Sequence, residues 1–478
     1  MATSASLPTL DPPRAAARAA AGGAPGCALP GTPLDLAREG LDACVHCGFC
    51  LQACPTYVTL HDENDSPRGR LVLMGALLDG SLAPTDPDVH THIDRCLGCR
   101  ACETACPSGV PYGHLLEATR ATLAAHRPPS PVARLILAAF ARRRLLGAVL
   151  LGARALRATG LPGWLARVLP HRLAFPMAML ASTAPAVRPR RWRPRPVADR
   201  ADGGRPAGEA VLLEGCVMRG LHAHTHAATR RTLAHHGVAW VAAPGQGCCG
   251  ALHAHAGDLE TARRLARANV AAFERAAGAL VVTNAAGCGA MLKEYGHLLA
   301  DEPEWAARAR AVAARVRDVS EVLADAGPRR ATGGVPLADG RGAARSAALR
   351  VTYDAPCHLL HAQRVADPPL AVLAAIDAVE LVPLVDAEQC CGSAGIYNLL
   401  EPATSDAVLA PKLAHVAATG AALVATGNPG CLMQLGAGLR RVGATARVVH
   451  PVELLDAAYS TAPDAGAAAG APPPPGDR

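Results

Sequence analysis

The sequence predicts an α+β multidomain chain: an α-helical domain with two cysteine clusters, followed by two copies of a small α/β cysteine-rich unit. Three observations carry this prediction. Two segments near the N-terminus share one cysteine spacing. Four cysteine landmarks in the second half recur at a nearly constant offset. Around them, short apolar runs alternate with Ala-rich stretches of helical periodicity.

With 478 residues the chain has room for about three domains, and 50% apolar residues are enough to build cores. Aromatics are only 3%, so those cores must be Ala, Leu and Val, and nucleic-acid binding by base stacking is disfavoured. Of the 47 basic residues only Lys293 and Lys412 are lysine. The abundance of Ala, Gly and Pro makes this a mark of GC-rich coding, with little functional content. The net charge of +7 is uneven. Residues 118–198 hold fifteen Arg and no Lys, Asp or Glu, which leaves 15 − 7 = 8 net negative charges on the remainder. A local contact with a membrane surface, an acidic partner or a polyanion is implied.

Residues 1–30 are Ala, Pro, Gly and Ser-rich and read as a disordered lead, with Arg14 and Arg18 giving a faint transit-peptide character. Cys27 stands alone in it. The start lacks a secretory signal, so a reducing cytoplasm is expected, where clustered cysteines are metal ligands.

Residues 31–125 form the first domain. Residues 34–43 (LDLAREGLDA) have helical spacing and run into Cys44-Val-His-Cys47-Gly-Phe-Cys50-Leu-Gln-Ala-Cys54-Pro55. The second set is Cys96-Leu-Gly-Cys99-Arg-Ala-Cys102-Glu-Thr-Ala-Cys106-Pro107. Both are the C-x2-C-x2-C-x3-C-P run of bacterial ferredoxins, in which the fourth cysteine ligates the other cluster. One [4Fe–4S] cluster is therefore assigned to Cys44, Cys47, Cys50 and Cys106, and the other to Cys96, Cys99, Cys102 and Cys54. Paired zinc knuckles are the weaker reading. Such a pair is an electron wire with no bond chemistry of its own.

Residues 126–181 alternate Leu, Val and Ala runs with Arg142, Arg143, Arg144 and further Arg, the pattern of basic amphipathic helices. The longest apolar run near them, LLGAVLLGA at 145–153, is too short to span a bilayer. Residues 182–208 read as a linker. The first cysteine-rich unit, 209–326, carries Cys216, Cys248-Cys249-Gly250 and Cys288. A loop-like linker at 327–348 leads to the second unit, 349–460, with Cys357, Cys390-Cys391-Gly392 and Cys431. The offsets of 141, 142, 142 and 143 residues mark a duplication. Helices are expected near 257–277 and 402–419. The tail, 461–478, reads as disordered.

Asp65-Ser-Pro-Arg-Gly-Arg70, then His92-Ile-Asp-Arg95 running into CLGCRACETACPSGVPY, resembles the iron–sulfur subunit of bacterial glycolate oxidase. The Cys-Cys-Gly units are similar to the cysteine-rich domains of that family, including CCGSAGIYNLLEP and NPGCLMQL at 428–435. The similarity runs in order over about residues 35–455. It implies an electron-transfer subunit beside flavin-containing partners that oxidise glycolate to glyoxylate. FAD would then sit on the partners only, and electrons would pass to a quinone-type acceptor at the cytoplasmic face of the inner membrane. Equivalent subunits for D-lactate, another 2-hydroxy acid or glycerol 3-phosphate are the alternatives, as is a disulfide reductase. A zinc-stabilised scaffold is a third.

Related domains in heterodisulfide reductases hold a cluster with five cysteines, ending in C-x2-C. Here Met291 and Gln434 stand where the last cysteine would be, and Ala355 precedes Pro356 where Asp is common. Three readings stay open for Cys216, Cys248, Cys249, Cys288, Cys357, Cys390, Cys391 and Cys431: a metal site, a structural cradle, or a redox-active thiol site. His222, His224, His226, His253 and His255 alternate as on a strand face or loop, and solvated surface histidine is preferred over metal binding. His46 reads as a tuner of the first cluster, not a ligand. Arg68 and Arg70 brace a carboxylate or the partner, or belong to a turn built by Pro67 and Gly69.

Overall fold

The computed structural model describes residues 27–188, 208–327, 329–340 and 348–462. The lead up to residue 26, most of the first linker and the tail beyond 462 lie outside the described residues.

The first domain is helical. Helical spacing at 34–43 yields two short pieces, Pro33–Leu36 and Arg38–Asp42, which meet at Ala37. Three longer helices follow: α1 (Pro67–Asp79), α2 (Pro87–Asp94) and α3 (Tyr112–Ala124). Ser66 and Asp86 cap the first two by accepting backbone N–H groups, each with Pro at the first turn, where a missing N–H costs nothing. Leu34, Met74, Leu77, Ile93 and Leu115 are fully buried between them. DSPRGR is thus a helix entry more than a loop. Gly69 packs there so closely that a Cβ would stand 2.0 Å from Glu63 O.

The basic segment forms four helices: α4 (Pro131–Phe140), α5 (Arg143–Ala158), α6 (Leu161–Val168) and α7 (His171–Ser182). Helix α5 lays Leu150 on Gly220 of the first cysteine-rich unit, and α7 packs along the second unit. No single described helix is long and apolar enough to cross a membrane; α5 and α6 pass that test only together, bent by 82°.

Each cysteine-rich unit is a four-stranded parallel sheet with helices between the strands. The first runs β2-β1-β3-β4, with β1 Gly208–Leu212, β2 Val238–Trp240, β3 Leu280–Thr283 and β4 Val316–Asp318. The second repeats the order as β6-β5-β7-β8, with β5 Leu349–Tyr353, β6 Val379–Val382, β7 Leu423–Ala425 and β8 Arg447–Val449. Ala210 lies opposite Leu280 in one sheet and Val351 opposite Leu423 in the other, so the strand registers repeat at the cysteine offsets.

The two units share one core: Leu212 and Val282 of the first belong to the same buried cluster as Val351, Leu423 and Leu454 of the second. The second linker is less loop-like than its composition suggests. Ala331 and Val335 are buried in that shared core, and Ala331 bridges to Ile376.

Candidate metal centres and cysteine cradles

The two N-terminal cysteine loops trace the same path. His46 and Gly48 have φ of 55° and 86°; at the matching places Gly98 and Arg100 have 62° and 63°. A left-handed residue on each side of the middle cysteine turns the loop so that three thiols face one hollow. His46 and Arg100 are side-chain-bearing residues in that region, a strain the surroundings must hold.

Cys44, Cys47, Cys50 and Cys106 line one cleft, backed by Leu71, Val110 and Tyr112, with Cys102 also reaching its wall. Burial pushes the Cys50 thiol up, and Cys44 and Cys106 push it further. Cys54, Cys96, Cys99 and Cys102 are all buried. Burial raises Cys99, followed by the charges of Cys390, Cys54 and Cys96; Cys102 rises through burial and then Cys99 and Cys96. Cys106 of the second motif thus sits with the first loop, and Cys54 of the first motif sits with the second. Each hollow presents four soft sulfur donors, a set that suits an iron–sulfur group and holds it as thiolates. Hydrogen bonds reach the sulfurs: Gly98 N and Tyr112 Oη donate to Cys96 Sγ at 3.5 and 3.6 Å, and Thr56 Oγ1 lies 3.2 Å from Cys54 Sγ.

Behind Cys54 lies a buried charge node. Arg70 is fully buried and donates to His92 O at 2.6 Å, Thr56 Oγ1 at 3.1 Å and Asp65 Oδ1 at 3.1 Å. Its Nη1 is 4.0 Å from Cys54 Sγ. Asp65 also takes Arg95 on Oδ2 at 3.1 Å and faces His92 Nδ1 at 3.1 Å. Asp62, Asp65 and His92 come within metal-binding reach of one another, but two guanidiniums already satisfy Asp65. Arg68, by contrast, pairs with Glu63 on the outside and reaches His46 O of the first loop.

In both cysteine-rich units the thiols sit at the carboxyl ends of the strands, where ligands bind in open α/β sheets. Cys216 follows β1, Cys248 and Cys249 follow β2, and Cys288 sits on the helix Ala286–Lys293 after β3. Cys357, Cys390, Cys391 and Cys431 repeat this, the last on Pro429–Arg441. Within each set the thiols interact in a chain, Cys216–Cys248–Cys249–Cys288 and Cys357–Cys390–Cys391–Cys431. The glycine of each Cys-Cys-Gly is required: Gly250 and Gly392 have φ of 91° and 83°, and a Cβ would crowd Ala262 O and Ser405 O at 3.2 and 2.7 Å.

The N-terminal domain docks on both units. Glu294 of the first takes Arg100 Nη1 and His114 Nε2, each at 2.8 Å, while Glu117 takes His255 at 2.8 Å. From the second unit, His358 Nε2 donates to Gly98 O and Tyr397 Oη to Arg95 O, both at 3.0 Å. Cys99 and Cys390 lie in one buried set with Leu97, Ala101 and Tyr397.

The histidine expectation is overturned. His222, His226 and His253 are 3%, 4% and 1% exposed, and no strand carries them. His226 lies on the helix Ala223–His235, donates to Glu214 O and meets Asn284; His253 Nε2 donates to Leu137 O of α4. The sequence reading also missed Glu294 and the buried pair Lys412–Asp354, 2.7 Å apart. For the pair a signal existed, since Lys412 is one of only two lysines.

Comparison with known proteins agrees with this layout. The 4Fe-4S dicluster domain family matches residues 40–110, and the cysteine-rich domain family matches 210–293 and 351–436. A probable glycolate oxidase iron–sulfur subunit of Bacillus subtilis is 39% identical over 86% of this chain and 92% of its own length. The glycolate oxidase iron–sulfur subunit of Escherichia coli is 34% identical over 87% and 94%. Lactate utilization protein A of Geobacillus kaustophilus is 32% identical over 44% of this chain and 83% of its own. With an iron–sulfur dicluster domain, a duplicated cysteine-rich unit and this likeness along most of its length, the chain belongs to the family of glycolate oxidase iron–sulfur subunits.

Proposed function

We propose that this chain transfers electrons within a glycolate-oxidising complex, from FAD-bearing partner subunits that form glyoxylate towards a quinone-type acceptor at the cytoplasmic face of the inner membrane. One observation carries the direction: the two thiol sets differ in exposure. Cys47 is exposed and flanked by Val45 and Phe49, which are 68% and 70% exposed, whereas the set of Cys54, Cys96, Cys99 and Cys102 is enclosed. An open apolar rim around one centre suits entry from a docked flavoprotein, and the enclosed centre suits onward transfer. Two [4Fe–4S] clusters in the crossed ligand sets supply one-electron storage; the chain's residues hold them, exclude water and set their potentials.

The exit side is supported by helices α4–α7. Leu135, Leu151 and Trp164 are 74%, 65% and 57% exposed, among Arg without any acidic neighbour in the segment. An apolar face with cationic flanks suits a lipid surface carrying anionic headgroups. Glycolate is favoured over lactate because the likeness to the glycolate subunits spans most of the chain, whereas that to the lactate protein spans 44%.

The test is the complex reconstituted with its flavin subunits. Glycolate should reduce the flavin and then the clusters, and Val45→Glu with Phe49→Glu should slow cluster reduction about tenfold or more while leaving cluster absorbance intact. Undiminished cluster reduction in that variant would remove the entry assignment, and faster reduction by D-lactate would move the substrate.

A further inference from the structure

We propose that Tyr112 biases the electron between the two clusters: its hydroxyl proton, held on Cys96 Sγ, favours the enclosed set of Cys96, Cys99, Cys102 and Cys54 over the exposed set. The proposal rests on the electron-transfer reading and deepens it.

Position is the first reason. Tyr112 closes the run CLGCRACETACPSGVPY and opens helix α3. It is 3% exposed and packs in one buried set with Leu71, Cys96, Cys102 and Leu115. It also forms part of the wall of the cleft that holds Cys44, Cys47, Cys50 and Cys106. One ring therefore stands against both thiol sets. Helix α3 fixes it there, because Leu115 and Leu116 are buried in the same core and Arg120 donates to Cys96 O at 2.7 Å.

The second reason is hydrogen bonding. A buried phenol needs an acceptor for its proton. Tyr112 Oη donates to Cys96 Sγ at 3.6 Å and has no other hydrogen-bond partner among the described residues. A neutral thiol is a weak acceptor, whereas a thiolate turns the same contact into a charge-assisted bond. The arrangement suits Cys96 as a cluster ligand. An added electron makes the cluster sulfurs more negative and strengthens the bond further, so the reduced state gains more from it than the oxidised one.

No neighbouring hydroxyl duplicates this. Thr56 Oγ1 lies 3.2 Å from Cys54 Sγ, but its single proton goes to Asp65 O at 2.8 Å. Gly98 N donates to Cys96 Sγ at 3.5 Å, and at the exposed set Cys50 takes backbone N–H groups, including that of Arg68. Backbone donors thus serve both sets, whereas the phenol serves one. Arg70 acts on the enclosed set from another side, with its Nη1 4.0 Å from Cys54 Sγ.

The step is a one-electron exchange. One iron on the exposed set goes from ferrous to ferric, and one on the enclosed set goes from ferric to ferrous. Tyr112 is not oxidised and keeps its proton, as a phenol ionises only near pH 10. No bond forms or breaks.

The experiment uses the full chain purified anaerobically in its complex. Tyr112→Phe keeps the ring and removes only the hydroxyl. In an EPR-monitored titration it should shift the electron about three- to tenfold towards the exposed cluster, the upper value being about 59 mV for a one-electron couple. The fall in potential should belong to the enclosed cluster alone, with iron content and both EPR signals retained. Proton hyperfine spectra of the reduced protein, compared in H2O and D2O, should show one exchangeable proton near the enclosed cluster that Tyr112→Phe loses. Unmoved potentials in Tyr112→Phe, an equal shift of both clusters, or unchanged proton couplings would overturn the proposal. Absence of both [4Fe–4S] signals from wild type would instead overturn the electron-transfer reading beneath it.

Discussion

Arg70→Met separates structural from electrostatic work at the buried cluster. Arg70 has no exposed surface and makes three hydrogen bonds, including the ion pair to Asp65. Burial opposes its charge, yet Cys96, Tyr112, Cys54 and Asp65 together hold it more firmly protonated than an ordinary arginine. Breaking a buried pair from one side costs about 3–5 kcal/mol; Arg95 stays on the other oxygen of Asp65, so the lower end, about 3 kcal/mol, is expected. The charge also acts on the cluster. Arg70 Nη1 stands 4.0 Å from Cys54 Sγ; at that separation and a dielectric near 20, one positive charge favours the added electron by at most about 4 kcal/mol, or roughly 180 mV. The potential of the cluster on Cys96, Cys99, Cys102 and Cys54 should therefore fall by that order in an EPR-monitored titration, with the other cluster nearly unmoved. Arg70→Lys should keep most of the potential but lose stability, because an ammonium cannot fork between Asp65 and His92 O. An unchanged or raised potential in Arg70→Met, or an equal fall in Arg70→Lys, would refute this account.

Cys54→Ser should disturb the EPR signal of the enclosed cluster and spare the exposed one; the reverse would break the crossed assignment. Purified complex should float with anionic liposomes, less so as salt rises, and less again when Arg142, Arg143 and Arg144 become Gln; complex that stays soluble at low salt would leave α4–α7 to a protein partner. His226 and His450 are pushed down to about 4 and about 3, by burial above all, with Arg230 and His224 among the charges facing them. Both stay neutral in the fold, so their stability contribution is complete above pH 6.5 and declines as pH falls, by about 2 kcal/mol each at pH 5. Hydrogen exchange at the contact between the units should accelerate at pH 5 in wild type and change less in His226→Gln; equal acceleration in both would remove His226 from the effect.

Features written in local spacing were legible, and those made by distant chain segments were not. The cysteine runs and the duplicated landmarks repeat within one stretch, and the strands appear where the offsets require them. His222, His224 and His226 misled because a spacing of two also contains an i, i+4 pair. In an Ala-rich context that pair belongs to a helix and its cap, with His226 held by Glu214 and Asn284 of its own unit while His224 meets Glu453 of the second, more than two hundred residues away. The partners of Lys412 and Glu294 lie 58, 180 and 194 residues off, so no window along the chain contains them. Ala331 and Val335 carried no local signal either, since the core they enter is built from both sheets.

The duplication raises the question of what the first unit contributes beside the second. Its contacts supply a physical answer. Glu294 fixes Arg100, the strained residue between Cys99 and Cys102, and Arg120 of α3 donates both to His255 O and to Cys96 O. One side chain thus ties the first unit to the loop that carries the enclosed thiols. On the far side, Arg231 grips Asp456 at 2.6 Å, and the helix Ala223–His235 packs along Pro451–Thr461 of the second unit. Electron transfer between fixed groups depends on holding their separation, and a rigid shared core does this better than a linker. The first unit therefore acts as the clamp that keeps the N-terminal domain seated on the second.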